Sequence, residues 1–486
     1  GGAPAGGTGG GAAAAAGAGG TGPTSGGAPA GGSAGAPGGD GPDGGDAPGG
    51  AASGAAGAVA TGGASTGGAG ETGGAGETGG AGGAGADTTV RGRVIDFWGH
   101  PIPNVPVEIG GEVTVTGSDG TFTITDVAAE YDASLVVDYL SPTRRVYGWV
   151  YQGLTRRDPT LQVYSGLPRR SALFAASFTT EPFEDDWNLD LSLGGADGSS
   201  IYRDVGDNNI GQATVEWQGP EEATFTAHGL LWRQDSATAL PTSYLAYDSA
   251  RVPISEAEPA DFSLDLPAGA IDSGYLRGEV LGGASERYNA AFVRFTTGAA
   301  IEVAHEDEPV SPFSYLVPSL PSSSITFVAA AGSPYRPPFA LAHVEGLAAG
   351  QEVEVTIPAP STLLLPATEA TDVNEETPFQ FLASPDGGGA VVVVFDRVDR
   401  YEGLFVVTAR EELTIPEVVG GAFGLQPASS YVWWVETHGD QATVDELAGA
   451  DGFLDAFSWD SSYPAGPRWG SGTHTLSSAR AFTTAP

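Results

Sequence analysis

Three groups of residues in this chain are of types that can do chemistry. Asp186, Asn188 and Asp190 alternate within Asp186-Trp-Asn-Leu-Asp190, with Asp185 beside them and Asp197, Asp204 and Asp207 close behind. A calcium loop opens in this way, because calcium takes carboxylate and amide oxygens from every second position. Such a loop wants glycine at its sixth position and glutamate at its twelfth; here these are Leu191 and Asp197. Trp187, Leu189, Leu191 and Leu193 fill the positions between, so the stretch also reads as a half-exposed β-strand. The following loop, Asp204 to Asn209, is a separate calcium candidate. The second group is three arginine pairs, Arg144-Arg145, Arg156-Arg157 and Arg169-Arg170. They form either an anion patch for a glycan, a lipid headgroup or an extracellular polymer, or a docking face toward an acidic neighbouring module. The third is His305-Glu-Asp-Glu308, a metal-ligand set or an exposed acidic turn.

Other chemistries are excluded by composition. Cysteine is absent, which removes disulfides, thiolate metal sites and cysteine nucleophiles. Lysine is absent too, since all 20 basic residues are arginine, so no Schiff-base or phosphate-loop lysine exists. The six histidines (100, 228, 305, 343, 438 and 474) are scattered, with no His-x-His or zincin spacing. Gly-x-Ser-x-Gly occurs only around Ser33 and Ser65, where no strand and helix can build a nucleophile elbow. Carboxylate pairs occur at every spacing in so acidic a chain and identify no glycosidase. No catalytic residue is therefore assigned, and apart from calcium no cofactor is expected. Trp187, Trp217, Trp232 and Trp434 are candidate sugar platforms, although core packing is the ordinary role of such residues.

These groups are carried by two contrasting kinds of sequence. Residues 1–87 are almost wholly glycine, alanine, proline, serine and threonine, and contain the tandem repeat TGGAGE at Thr66–Glu71 and Thr72–Glu77. So little apolar surface cannot offset the entropy of ordering the chain, so a disordered tether is expected. As a flexible coil it spans about 50 Å, and fully extended about 290 Å. From Val90 onward the apolar period is two, and Gly, Pro, Asp and Ser turns separate segments such as Val90–Ile95, Thr121–Ile124, Ala223–Trp232, Glu352–Ile357 and Tyr431–Val435. One stretch, Val444–Phe457, reads as helix. The expected class is all-β, a tandem array of β-sandwich modules behind the tether.

The net charge of −40 is unevenly spread. Residues 88–170 hold nine acids against eight arginines, whereas 171–486 hold 45 against 12. Such acidity opposes nucleic-acid and anionic-membrane partners over most of the surface. No segment has the roughly 20 apolar residues of a membrane helix.

Module families emerge from particular residues. Gly92-Arg-Val94-Ile-Asp96, Gly99-His-Pro101, Asn104-Val105-Pro-Val107-Glu-Ile109 and Ser118-Asp119-Gly120-Thr-Phe122-Thr-Ile124 together resemble the carboxypeptidase regulatory-like family, a transthyretin-like sandwich. The resemblance implies a seven-stranded domain at 88–168 with no catalytic residues. Similar spacings around Phe313, Ile325, Gly346 and Val353 suggest a second copy at 273–358. Residues 169–272 read as all-β without a family pattern. Leu425-x-Pro427-x-x-x-Tyr431, then Trp433 and Val435, and the final Arg480–Thr484 resemble fibronectin type III over 359–486. The spacing is that of a tyrosine corner. An insertion at 439–476 replaces that family's short hairpin and is the expected binding elaboration.

The layout resembles a mature bacterial surface lipoprotein. With glycine at position 1 and no methionine, the chain is expected to be a processed product or a fragment, its attachment point a lipid anchor before Gly1 and outside the chain. The expected role is non-enzymatic, secreted or at the surface of a GC-rich bacterium: adhesion, envelope structure or ligand display toward glycans or other envelope proteins. The alternatives are a carbohydrate-binding protein and an accessory to an extracellular hydrolase, with 169–272 the place for a hidden site.

Overall fold

The computed structural model describes residues 88–139, 145–163, 169–195, 198–202, 209–256, 258–283, 287–333, 336–385, 388–398, 400, 402–421, 423–439, 441–450, 452–453 and 472–486. The tether at 1–87 lies outside them. The described residues are all-β, with thirty strands and one short α-helix. No helix among them is long and apolar enough to cross a membrane.

The first seven strands are β1 Val90–Ile95, β2 Pro106–Ile109, β3 Glu112–Val115, β4 Thr121–Ile124, β5 Tyr131–Tyr139, β6 Arg145–Leu154 and β7 Thr160–Gln162. β1 pairs antiparallel with β4 and parallel with β7, and this sheet faces the order β3-β2-β5-β6. Alternation places Val90, Val94, Phe122 and Ile124 against Val107, Ile109, Leu135 and Trp149. At the Asp119-Gly120 turn the Asp119 carboxylate accepts from the Thr121 amide and hydroxyl. Gly120 has φ +71° there, and a Cβ would lie 2.6 Å from the Val94 carbonyl oxygen, so the position requires glycine.

The same topology then repeats twice. The second set is β8 Arg169–Thr180, β9 Trp187–Gly195, β10 Gly198–Tyr202, β11 Asn209–Gln218, β12 Glu222–Gln234, β13 Pro241–Ser255 and β14 Ala260–Leu266. The third is β15 Ser273–Gly282, β16 Arg287–Phe295, β17 Ala300–Asp307, β18 Phe313–Pro318, β19 Ser323–Ser333, β20 Arg336–Leu347 and β21 Glu352–Ile357. In each, the first strand lies between the fourth, antiparallel, and the seventh, parallel. The facing sheets are β10-β9-β12-β13 and β17-β16-β19-β20. The segment 169–272, in which no family pattern is legible, thus shares the strand plan of its neighbours.

The fourth sandwich has another plan. Its strands are β22 Thr362–Leu365, β23 Ala370–Val373, β24 Phe379–Leu382, β25 Val391–Arg397, β26 Glu402–Thr408, β27 Glu412–Leu413, β28 Ser430–His438, β29 Gly472–Leu476 and β30 Arg480–Thr484. Sheet β22-β24-β27 packs Phe379 and Phe381 on Phe395 and Trp433 of sheet β26-β25-β28. The Tyr431 hydroxyl accepts from the Gln426 amide at 3.0 Å, tying the strand back to the turn before it. Both β29 and β30 pair with β28 in succession, and β23 runs parallel to β30.

The sandwiches are fused. β6 pairs in parallel with β26, and β29 pairs with β20, so one sheet follows the path β17-β16-β19-β20-β29-β28-β25-β26-β6-β5-β2-β3 through the third, fourth and first sandwiches. At the first junction the chains pass so closely that a Cβ on Gly403 would sit 3.2 Å from the Tyr147 ring. Trp149 there stacks on Phe405, with centroids 4.4 Å apart.

Candidate functional site

The sequence-predicted groups are dispersed by the fold. Asp186 precedes β9, while Asn188 and Asp190 lie within it, so the three are strung along a strand and do not encircle a point. The outer pair, Asp186 and Asp190, stand about 13 Å apart along the extended chain, too far for two aspartates to reach one ion. Asp186 meets Arg233 Nε at 3.0 Å, and buried Asp190 accepts from Trp232 Nε1 at 2.9 Å. The strand reading describes this stretch; Asp197 and the loop from Asp204 to Asp207 lie outside the described residues.

The arginines are likewise committed one by one. Arg156 bridges to Asp158 at 3.0 Å and donates from Nη1 to the Asp445 carbonyl at 2.8 Å. Arg157 lies over the Tyr131 ring, and Arg170 pairs with Glu256 within its own sandwich. The docking expected toward the second module therefore runs, at Arg156, to the insertion of the fourth. Arg144 and the side chains of Arg145 and Arg169 are outside the described residues.

The insertion shows why. Its helix, α1, spans only Val444–Leu447, shorter than the expected Val444–Phe457. Thr443 and Glu446 form a capping box at its start, and Gly449 and Gly452, the latter at φ +70°, end the helical path. Residues 454–471 lie outside the described set. The Asp445 carboxylate accepts from the Thr155 amide and hydroxyl and from the Arg156 amide. Burial pushes the Asp445 pKa up, but these bonds and the Arg156 charge outweigh it and hold the group below the usual carboxylate value. Val444, Leu447 and Ala448 join the core of the first sandwich. Residues 443–450 and 452–453 of the insertion thus form a clasp on the first module, while its last strand, β29, pairs with β28 and β20.

The second and third sandwiches meet through buried polar groups. The Tyr244 hydroxyl donates to the Leu316 carbonyl at 2.8 Å. His228 lies 2.9 Å from both the Tyr247 hydroxyl and Thr297 Oγ1, and its ring stacks on Phe295. Burial lowers the His228 pKa to about 4. Gly194 allows this approach, since a Cβ would lie 2.1 Å from the Ala299 amide nitrogen. The tryptophans considered as platforms serve packing: Trp217 and Trp232 are buried, Trp187 is half-buried, and Trp434 donates from Nε1 to Glu436.

The histidines are scattered in sequence, but the fold gathers three of them. His343 on β20, His438 on β28 and His474 on β29 are all buried, as is Glu436. β29 pairs His474 with His438 on one side and with Leu341 on the other, and their rings stack at 4.7 Å. Ligand atoms of Glu436, His438 and His474 all lie within 4.8 Å of one another. Trp434 Nε1 fixes Glu436 Oε1 at 2.7 Å, leaving Oε2 facing His438 Nε2 at 3.3 Å. Neither of those two facing atoms has a hydrogen-bond partner, and neither does either ring nitrogen of His474. Burial, then the proximity of His438 and His343, drives the His474 pKa well below its usual value, so its imidazole is neutral. The legible signal was Glu436-Thr-His438 on one strand face. Its cross-strand partner was hidden because the insertion obscures the register. His305, by contrast, sits beside Glu302 and Asp307 at the half-exposed end of β17, where the Glu302 hydrogen bond raises its pKa despite partial burial.

Two clefts flank the first sandwich. One of about 490 Å³ is walled by Glu112, Asp126, Glu130 and Asp132. Another of about 300 Å³ lies at the first–fourth junction beside Arg397, Arg400 and Glu402.

No protein-family model matches the chain, and no curated protein matches it. Among solved structures, a leucine-rich repeat protein from Bacteroides thetaiotaomicron is similar over 38% of this chain and 27% of its own, at 13% identity and TM-score 0.15. The Bacillus anthracis TIE protein is similar over 56% of this chain and 50% of its own, at 9% identity and TM-score 0.14. The shaft pilin of Lactobacillus rhamnosus GG is covered in full by 41% of this chain, at 10% identity and TM-score 0.14. The chain thus spans about a quarter and a half of the first two. Scores of this size define no shared fold.

Proposed function

We propose that this chain is a non-enzymatic scaffold, secreted or carried on a cell surface, that holds its modules rigidly for a structural or adhesive role. The observation that carries this reading is the single sheet shared by three sandwiches. Independent modules on linkers move relative to one another, whereas strand pairing across module boundaries fixes their geometry. Supporting it, the perturbed histidine and tyrosines of the second sandwich (His228, Tyr244 and Tyr247) lie at its seam with the third and are consumed in docking contacts there. Transthyretin-like identity for the first three sandwiches and fibronectin type III identity for the fourth belong to this proposal. They rest on the quoted motifs, the repeated strand plan and the Tyr431 corner. The test is a glycan array probed with the purified chain, run beside a panel of glycosidase, esterase and peptidase substrates. Saturable binding without turnover supports the adhesive form, and neither binding nor turnover supports the structural form. Turnover that survives repurification overturns the proposal.

A further inference from the structure

We infer that Glu436, His438 and His474 bind one divalent transition-metal ion of the zinc class, which fastens the third sandwich to the fourth. Two imidazole nitrogens are borderline donors that suit zinc and cobalt rather than calcium or magnesium, and zinc accepts a carboxylate oxygen as a third ligand. The set is buried, and it contains four polar atoms without hydrogen-bond partners: Glu436 Oε2, His438 Nε2 and both nitrogens of His474. Buried orphans of this kind call for a water or an ion, and a metal satisfies an oxygen and two nitrogens at once. A tetrahedral zinc holds neighbouring ligand atoms about 3.4 Å apart, given bond lengths of about 2.0–2.1 Å. Glu436 Oε2 and His438 Nε2 already stand at 3.3 Å. The full set, within 4.8 Å, needs to close by at most about 1.4 Å, within reach of side-chain rotation. Trp434 orients the carboxylate from behind, as outer partners of metal ligands do.

The location gives the ion its role. Glu436 and His438 stand on β28, and His474 stands on β29, the strand that also pairs with β20 of the third sandwich. An ion across β28 and β29 locks the strand that joins the two modules. The fourth coordination position is left to water or to a small rotation of neighbouring His343. The test uses the full chain stripped with chelator and titrated with Co²⁺, followed by its visible d–d absorption and by displacement with Zn²⁺. One equivalent with a tetrahedral spectrum is expected, together with a Zn²⁺-dependent rise in melting temperature. His438→Gln and His474→Gln should each weaken binding more than about tenfold, while His305→Gln leaves it unchanged. X-ray absorption of the Zn²⁺-loaded wild-type chain reads the ligands without any variant, so the test stands even if the variants do not fold. At least two imidazoles per zinc support the inference. No binding at millimolar metal, an all-oxygen shell, or binding lost only in His305→Gln overturns it.

Discussion

Replacing Asp445 by alanine should open the clasp between the insertion and the first sandwich while leaving the rest of the chain closed. The Asp445 carboxylate accepts three bonds, from the Thr155 amide and hydroxyl and from the Arg156 amide. Bonds to a charged acceptor contribute about 1.5–3 kcal/mol each when buried. This carboxylate is only half-buried, so solvent competes for all three, and we take about 2 kcal/mol in total. That corresponds to about a 30-fold rise in the local opening constant. Hydrogen exchange read by mass spectrometry should show this rise in peptides covering α1 and β7, with peptides of β12 and β13 in the second sandwich unaffected. The wild-type clasp should also weaken in acid. The Asp445 pKa is lowered in the folded chain, so its contribution is present above the unfolded value of about 3.8 and is lost as pH falls through the folded one. A change under threefold, or an equal loss of protection everywhere, would refute this picture of the clasp.

Three further outcomes follow from single contacts. Tyr431→Phe removes the acceptor of the Gln426 amide and should cost about 1–2 kcal/mol in urea unfolding, with an unchanged m-value. His228 titrates at about 4 when folded and about 6.5 when unfolded, so the unfolded chain binds the extra proton between those values. Stability is therefore full above pH 6.5 and falls by up to about 3 kcal/mol toward pH 4, and His228→Gln should lose that much less over the same window in paired melts. Gly194→Ala drives a methyl group into the Ala299 backbone and should lower the melting temperature by several degrees, whereas Gly269→Ala, whose Cβ would meet nothing nearer than 3.9 Å, should not. Equal melting of the two glycine variants would show that the seam between second and third sandwiches is looser than described.

Local patterns in the sequence foretold local structure. Val90–Ile95, Thr121–Ile124 and Glu352–Ile357 alternate cleanly and coincide with β1, β4 and β21. Leu425-x-Pro427 to Tyr431 announces a hydroxyl tied to its own turn, because that bond closes within a few residues. The repeat hidden in the second sandwich was not legible: β8 is rich in alanine and serine, and its strand plan lies in pairings rather than motifs. The shared sheet was still less accessible. Val146–Tyr151 and Glu402–Val407 are far apart in sequence and carry nothing that names them as partners. The helix is shorter than its apolar spacing predicts, because that spacing continues past Gly449 and Gly452, where the helical path ends. The histidine cluster depends on the β28–β29 register across an insertion of uninformative length.

The central claim, that strand pairing across module boundaries makes one rigid body, is open to a direct distance measurement. The chain has no cysteine, so spin labels can be placed at will through Val113→Cys on β3 and Asp307→Cys on β17, both exposed and at opposite ends of the shared sheet. Eleven interstrand steps of about 4.8 Å give a lateral backbone span of about 53 Å, shortened by twist and lengthened slightly by the offset of the two sites along their strands. Pulsed dipolar spectroscopy should return a single narrow distance distribution near that span, within the reach of the label arms. A broad or multi-peaked distribution would mean that the modules move independently and that the continuous sheet does not exist in solution.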